Sequence, residues 1–233
     1  MEKDGLQIIF DQVKKLGQEM EISSVIKSGK EATVYRVFLN GELVAMKVYK
    51  NPEERDFKNA SRYLEGKNYL KPSHRKAVAK GNRFSKKLKY ENWVKREFFL
   101  LEKLYKLGAK IPKPILQIES AIFMELLGDA ENAASRLCEV ELTKKEAEKA
   151  FRSVIETVLI FWNFGIVHAD LSEYNILWWH KEPYIIDFPQ AVDKRTHPNP
   201  SELLVRDLKN ITRFFGKFIE IDFEEVVGRF ERT

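Results

Sequence analysis

Three polar side chains interrupt the most apolar part of the sequence. Asp170 and Asn175 stand within Ile166-Val-His-Ala-Asp-Leu-Ser-Glu-Tyr-Asn-Ile-Leu177, and Asp187 follows Ile185-Ile186, ahead of Phe188-Pro-Gln190. A carboxylate withdrawn from water is costly unless it is paired or holds a metal. An aspartate and an asparagine carbonyl brought together supply the hard oxygen ligands that Mg²⁺ takes, with water and phosphate completing its shell. On that reading Asn175 and Asp187 hold the metal, and Asp170 orients or deprotonates a nucleophile. The competing reading makes each a turn or cap residue, positions that Asp and Asn favour. The spacing His168-x-Asp170-x-x-x-x-Asn175, followed by a second apolar strand ending in Asp187, favours chemistry.

That spacing resembles the catalytic and metal-binding segments of protein-kinase-like proteins, and the resemblance implies a strand lysine and a partnering helix carboxylate upstream. Val44-Ala-Met-Lys47 fits the pattern in which a strand lysine meets the α- and β-phosphates of a nucleotide. Its expected partner is Glu97, three residues after Val94 and four before Leu101, hence inside the apolar stripe of a helix. Glu91 and Glu102 fall outside that stripe and read as solvated charges; an ordinary residue at the stripe's edge is the other reading of Glu97. The loop Lys27-Ser-Gly-Lys-Glu-Ala-Thr33 keeps only Gly29 where a G-x-G-x-x-G loop has three glycines, and it is not a Walker A sequence. N–H groups around Gly29, the Ser28 hydroxyl and Lys30 can still cradle phosphates. A charged hairpin turn is the alternative.

The elements that must position these groups follow from periodicity. Strands are expected at Ile22–Ile26, Thr33–Leu39 and Glu42–Tyr49, with Asn40-Gly41 as the turn of an antiparallel hairpin. Trp93, Val94, Phe98, Leu101, Leu104 and Tyr105 mark a helix running to Gly108, and Ala121–Met124 a further strand. Thr143-Lys-Lys-Glu146 is a capping box ahead of a long helix that stops before Gly165. Asn199-Pro-Ser-Glu202 starts another, through Phe218. Strands dominate the first half and helices the second, so two α+β lobes are the simplest packing.

Composition sets outer limits. The 233 residues are 44% apolar, enough for a full core. No run is long and apolar enough for a membrane span and the N-terminus lacks a secretory layout, so a cytoplasmic location is expected. Cys138 is the single cysteine and receives no function. The net charge is +5, but residues 58–89 carry eleven Lys and Arg against Glu65 alone, +10, which leaves −5 for the rest. Such a segment suits a polyanion, with Tyr63, Tyr69, His74 and Phe84 as stacking surfaces. A solvated loop that orders only on binding is the bland alternative.

Taken together, Ser28-Gly-Lys-Glu-Ala32, His168-Ala-Asp-Leu-Ser-Glu-Tyr-Asn175 and Ile186-Asp-Phe-Pro-Gln190 resemble the RIO family of atypical serine/threonine protein kinases, from about Ile22 to Phe215. The first two stretches resemble the first RIO type, whereas Asp-Phe-Pro-Gln is more typical of the second. With only 21 residues ahead of Ile22 there is no room for the second type's winged helix, so a first-type member is expected. The resemblance implies an α+β, two-lobed protein-kinase-like fold, with an antiparallel-sheet N-lobe (about 1–124), a linker (about 125–128) and a mainly helical C-lobe (about 129–233), all one domain. It also implies a flexible basic loop over 58–89, and a trimmed C-lobe with no activation loop or late helices.

What the resemblance implies for chemistry is ATP bound in the interlobe cleft with Mg²⁺, or Mn²⁺ in its place, on Asn175 and Asp187. Asp170 serves as base, Lys47 with Glu97 aligns the phosphates, Ser28, Gly29 and Lys30 line them, Met124 backs the adenine pocket, and Glu125 to Leu127 bind adenine through backbone. Autophosphorylation on serine, ATPase turnover and a part in maturing the small ribosomal subunit are implied, as is, for some members, transient phosphorylation of the metal-binding aspartate, here Asp187. Ser61, Ser73 and Ser85 are candidate self-phosphorylation sites. The expected partners are the precursor small subunit and its rRNA, through 58–89, and a protein substrate that includes the chain itself; neither membrane nor DNA is expected. A small-molecule phosphotransferase of the aminoglycoside or choline kinase sort, and a nucleotide-gated RNA-binding scaffold, remain the rival classes.

Overall fold

Asn40 and Gly41 both take positive φ, 51° and 82°. That is the paired left-handed geometry of the tight hairpin turn the sequence predicts between its second and third strands. The computed structural model describes residues 2–50 and 83–231. Residues 2–50, 83–102 and 113–133 form one unit, and 103–112 and 134–231 the other.

In the first unit, β1 (Met20–Ser28), β2 (Ala32–Leu39), β3 (Glu42–Tyr49), β4 (Pro114–Ile118) and β5 (Ala121–Glu125) form one sheet in the order β1-β2-β3-β5-β4, every neighbouring pair antiparallel. Side chains alternate across it. Tyr35, Val37, Leu39, Val44, Met46 and Phe123 pack against Ile9 and Val13 of an N-terminal helix, α1 (Glu2–Lys15). Lys47 and Tyr49, one step out of phase with Met46, are directed to the opposite face. That face receives helix α2 (Arg83–Lys106), whose Val94 is fully buried. Helix α1 was not expected. Its stripe of Leu6, Ile9 and Val13 covers the sheet face that would otherwise stand in water.

The sequence-derived basic loop lies outside the described residues as far as residue 82, and with it Ser61 and Ser73. From Arg83 onward it is not a loop but the first turns of α2, which begins ten residues before the apolar period at Trp93. No Gly or Pro occurs between Gly81 and Gly108, so Lys, Arg and Leu continue the helix upstream of its buried stripe.

In the second unit the capping box forms as predicted: the Glu146 N–H donates to Thr143 Oγ1 at 3.3 Å, and the Thr143 N–H donates to Glu146 Oε2 at 3.2 Å. It starts α3 (Lys144–Phe164), which buries Ala147, Ala150, Val154, Ile155, Val158 and Phe161 and closes on Gly165 at φ 92°. Short strands flank it, among them the expected apolar strand ahead of Asp187. β6 (Ser135–Arg136), β8 (Ile176–Trp179) and β9 (Glu182–Ile185) form one antiparallel sheet, and β7 (Ile166–Val167) pairs with β10 (Val192–Asp193). α4 (Pro200–Phe215) begins with Pro in its first turn, as expected. A further helix, α5 (Phe223–Glu231), comes after it. The class is α+β.

Candidate active site

Lys47 Nζ and Glu97 Oε1 stand 3.1 Å apart, the lysine 13% and the glutamate 4% exposed. Two observations make this pair more than a surface contact. The carboxylate is withdrawn from water, so losing its cation would strand a charge. It also accepts from the hydroxyl of buried Tyr49, which sits two residues after Lys47 on the same face of β3. The Tyr49 ring meets Trp93 of α2 edge-on at 4.5 Å, and Lys47 Nζ lies 4.9 Å from its centroid. Tyr49 was missed in the sequence, although period-two alternation alone puts it beside Lys47.

Between β1 and β2 the chain turns tightly, with the Gly29 N–H bonded to the Ala32 carbonyl at 2.9 Å. A β-carbon on Gly29 would stand 3.4 Å from that oxygen. The amide of Gly29 itself is thereby engaged within the turn. Ser28 is exposed, and its hydroxyl lies 3.2 Å from that of buried Thr33 and 3.4 Å from Lys50 Nζ. Lys30 is exposed at the tip. At the far end of the sheet, Met124 is half-buried and Leu127 buried. The Glu125 N–H is bonded to the Lys113 carbonyl at 2.8 Å, so that donor is committed.

In the second unit, Asp170 and Asp187 are exposed rather than buried as their apolar flanks suggested. The reason is local geometry. Ala169 has φ 64° and Asp187 φ 73°, so neither can continue a strand; β9 stops at Ile185 and Asp187 lies two residues beyond it. What is buried is the frame behind them. His168 is 2% exposed, with Nε2 3.1 Å from the Ile186 carbonyl and its ring 4.9 Å from that of Phe188. The Ile186 N–H donates to the Asn175 carbonyl at 3.0 Å. Asp187 is thereby fixed one residue beyond a backbone tie to Asn175.

The loop between β7 and β8 is gripped from α4. Asp207, 1% exposed, accepts the N–H groups of Ala169 at 2.7 Å and Leu171 at 3.1 Å, one on either side of Asp170. Arg206 donates to the Ala169 carbonyl, and Asn210 Nδ2 to that of Leu171 at 3.1 Å. Burial pushes the Asp207 carboxyl up to about 7, against the pull of its two N–H donors and of Arg206. Asp207 was also missed, yet it lies between Leu204 and Ile211 in the buried stripe of its helix. The same criterion singled out Glu97.

The donor set suits a magnesium ion. Asn175 Nδ2 donates to the Asp170 carbonyl at 2.8 Å, which fixes the amide and leaves Oδ1 as the oxygen available to a cation. Asp187 adds an exposed carboxylate. Among the described residues no group of three or more His, Cys, Asp and Glu forms a metal cage. Two protein oxygens with water and phosphate supplying the rest is a magnesium arrangement rather than a zinc one. Cys138 stays outside this chemistry, its thiol pushed up by burial. No helix among the described residues is long and apolar enough to cross a membrane.

A strand lysine paired with a helix glutamate, and an H-x-D-x-x-x-x-N loop feeding a hairpin with an aspartate just beyond it, define the protein-kinase-like class. Residues 33–226 match the family described as the RIO domain. The RIO-type serine/threonine-protein kinase Rio1 of Haloferax volcanii is 34% identical over 213 residues, 89% of this chain and 69% of its own. The serine/threonine-protein kinase rio1 of Dictyostelium discoideum is 33% identical, over 90% of this chain and 35% of its own. That of Schizosaccharomyces pombe is also 33% identical, over 86% of this chain and 39% of its own, so the chain spans well under half the length of these two relatives. The chain belongs to the RIO family of serine/threonine-protein kinases, with relatives of the first type, as its motifs suggested.

Proposed function

We propose that the chain is a single-domain, ATP- and Mg²⁺-dependent serine/threonine kinase that phosphorylates itself and acts in the cytoplasm on precursors of the small ribosomal subunit. The observation that carries the catalytic part is the buried Lys47–Glu97 pair at 3.1 Å, the arrangement that aligns a lysine for nucleotide phosphates. Lys47, aligned by Glu97, meets the α- and β-phosphates, while Ser28 and Lys30 face the phosphates from the loop. Met124 and the Glu125–Leu127 backbone receive adenine. Asn175 and Asp187 hold Mg²⁺ through oxygen, and the metal neutralises charge on the β- and γ-phosphates when bound.

Asp170, held rigid by its gripped neighbours, accepts the proton of the serine hydroxyl. The hydroxyl oxygen forms a bond to the γ-phosphorus as the bond from that phosphorus to the β,γ-bridging oxygen breaks, and ADP departs. The cluster of eleven basic residues in 58–89 supports contact with rRNA.

The test is incubation with γ-labelled ATP and Mg²⁺ followed by analysis of the label's linkage. Acid-stable phosphoserine on the chain is the expected result. Label transferred only to small aminoalcohols would replace this reading with that of a small-molecule phosphotransferase. A hydroxylamine-labile bond at Asp187 would place the working activity with ATP turnover.

A further inference from the structure

We infer that Tyr49 is a positioning residue for the Lys47–Glu97 pair, tying the phosphate loop, the lysine and the helix carboxylate into one unit; this rests on the proposed nucleotide chemistry. Tyr49 touches both members of the pair in different ways. Its hydroxyl donates to Glu97 Oε2, while Lys47 donates to Oε1. Its ring lies 4.9 Å from the same Lys47 ammonium, within cation–π range.

Its backbone is tied on both sides. Tyr49 pairs across the sheet with Ala32, the residue that closes the phosphate loop, and its N–H donates to the Ser120 carbonyl at 2.9 Å. The next residue continues the link, the Lys50 N–H donating to the Glu31 carbonyl at 2.9 Å. Trp93, edge-on at 4.5 Å, fixes the ring from α2.

The physical need is specific. A lysine that shares its charge with a nucleotide weakens its hold on Glu97, and a carboxylate 4% exposed cannot turn to water for compensation. The Tyr49 hydroxyl is a second donor that stays when the lysine's attention is divided. Without it Glu97 must claim Lys47 more fully, at the expense of the phosphates.

The experiment is a cycle of wild type, Tyr49→Phe, Glu97→Gln and the double variant. Phenylalanine keeps the ring, the Trp93 contact and the cation–π contact, and deletes only the hydroxyl. MgATP affinity is measured by calorimetry, alongside melting temperature and autophosphorylation rate. We expect Tyr49→Phe to weaken MgATP about fivefold to tenfold in the wild-type background and less than twofold in the Glu97→Gln background, a coupling of the size seen for groups in one network. Equal losses in both backgrounds, or a lowered melting temperature with unchanged affinity, would show Tyr49 to be structural only. Failure of the wild type itself to bind MgATP would instead overturn the kinase reading, and this inference with it.

Discussion

Asn175 donates its side-chain amide to the main-chain carbonyl of Asp170 at 2.8 Å. One asparagine therefore sets the loop that presents the proposed base and, through its remaining oxygen, offers a ligand to the metal. Replacing it by alanine removes both. Asn175→Ala is predicted to raise the Mg²⁺ concentration for half-maximal phosphoryl transfer by about 10- to 100-fold, the range for losing metal-site support. A magnesium titration at fixed ATP reads this; an unchanged midpoint would remove Asn175 from the metal site.

The Lys47–Glu97 pair leads to an asymmetric prediction for stability. Lys47→Met leaves a carboxylate 4% exposed with the Tyr49 hydroxyl as a remaining donor, and is predicted to cost about 3 kcal/mol. Glu97→Gln keeps a hydrogen-bonding group in place and should cost less. Urea unfolding of both variants decides it, and the reverse order would mean that Glu97 is not held by Lys47.

Asp207 predicts a pH dependence with a definite sign. Its folded carboxyl is raised from 3.8 to about 7, so between those values the folded state binds a proton that the unfolded chain has released. This contribution to stability is therefore present at low pH and is lost as pH rises toward 7, with a slope of at most about 1.4 kcal/mol per pH unit. Unfolding free energies from pH 5 to 8 for wild type and Asp207→Asn should differ by a term that falls with pH. A difference that is flat across the range contradicts a raised carboxyl.

The basic segment gives a prediction that separates partner from chemistry. Neutralising four or more of its Lys and Arg is expected to weaken rRNA or precursor-particle binding and flatten its salt dependence. MgATP affinity should change less than about twofold, since no proposed nucleotide ligand lies in 58–89. Salt-dependent binding isotherms check it; an undiminished slope would mean that other residues carry the electrostatics.

The parts legible in the sequence were the locally determined ones. Asn40-Gly41, the Thr143–Glu146 box and Gly165 each encode a turn or a helix end in a few adjacent residues, and the structure has them there. Lys47 and Glu97, 50 residues apart in sequence, could be paired in advance because the kinase-like resemblance implied such a pair, which the Val44–Lys47 motif and the phase of α2 then located. Less legible was what depends on distant contacts. Asp170 and Asp187 sit among apolar residues yet are exposed, with positive φ at Ala169 and Asp187 taking the chain out of strand geometry. Asp207 is 36 residues from the Leu171 N–H it accepts. Its signal, a carboxylate between Leu204 and Ile211, was present but pointed to no partner. Helix α1 hid because its buried face rests on few residues, notably Ile9 and Val13, amid polar sequence.

The most direct test of the catalytic account is the rate of phosphoryl transfer from MgATP by folded Asp170→Ala and Asp187→Ala variants, measured beside wild type at saturating nucleotide. Loss of the proton acceptor or of the metal carboxylate should each lower the rate at least about 100-fold. Transfer at the wild-type rate in both variants would contradict it.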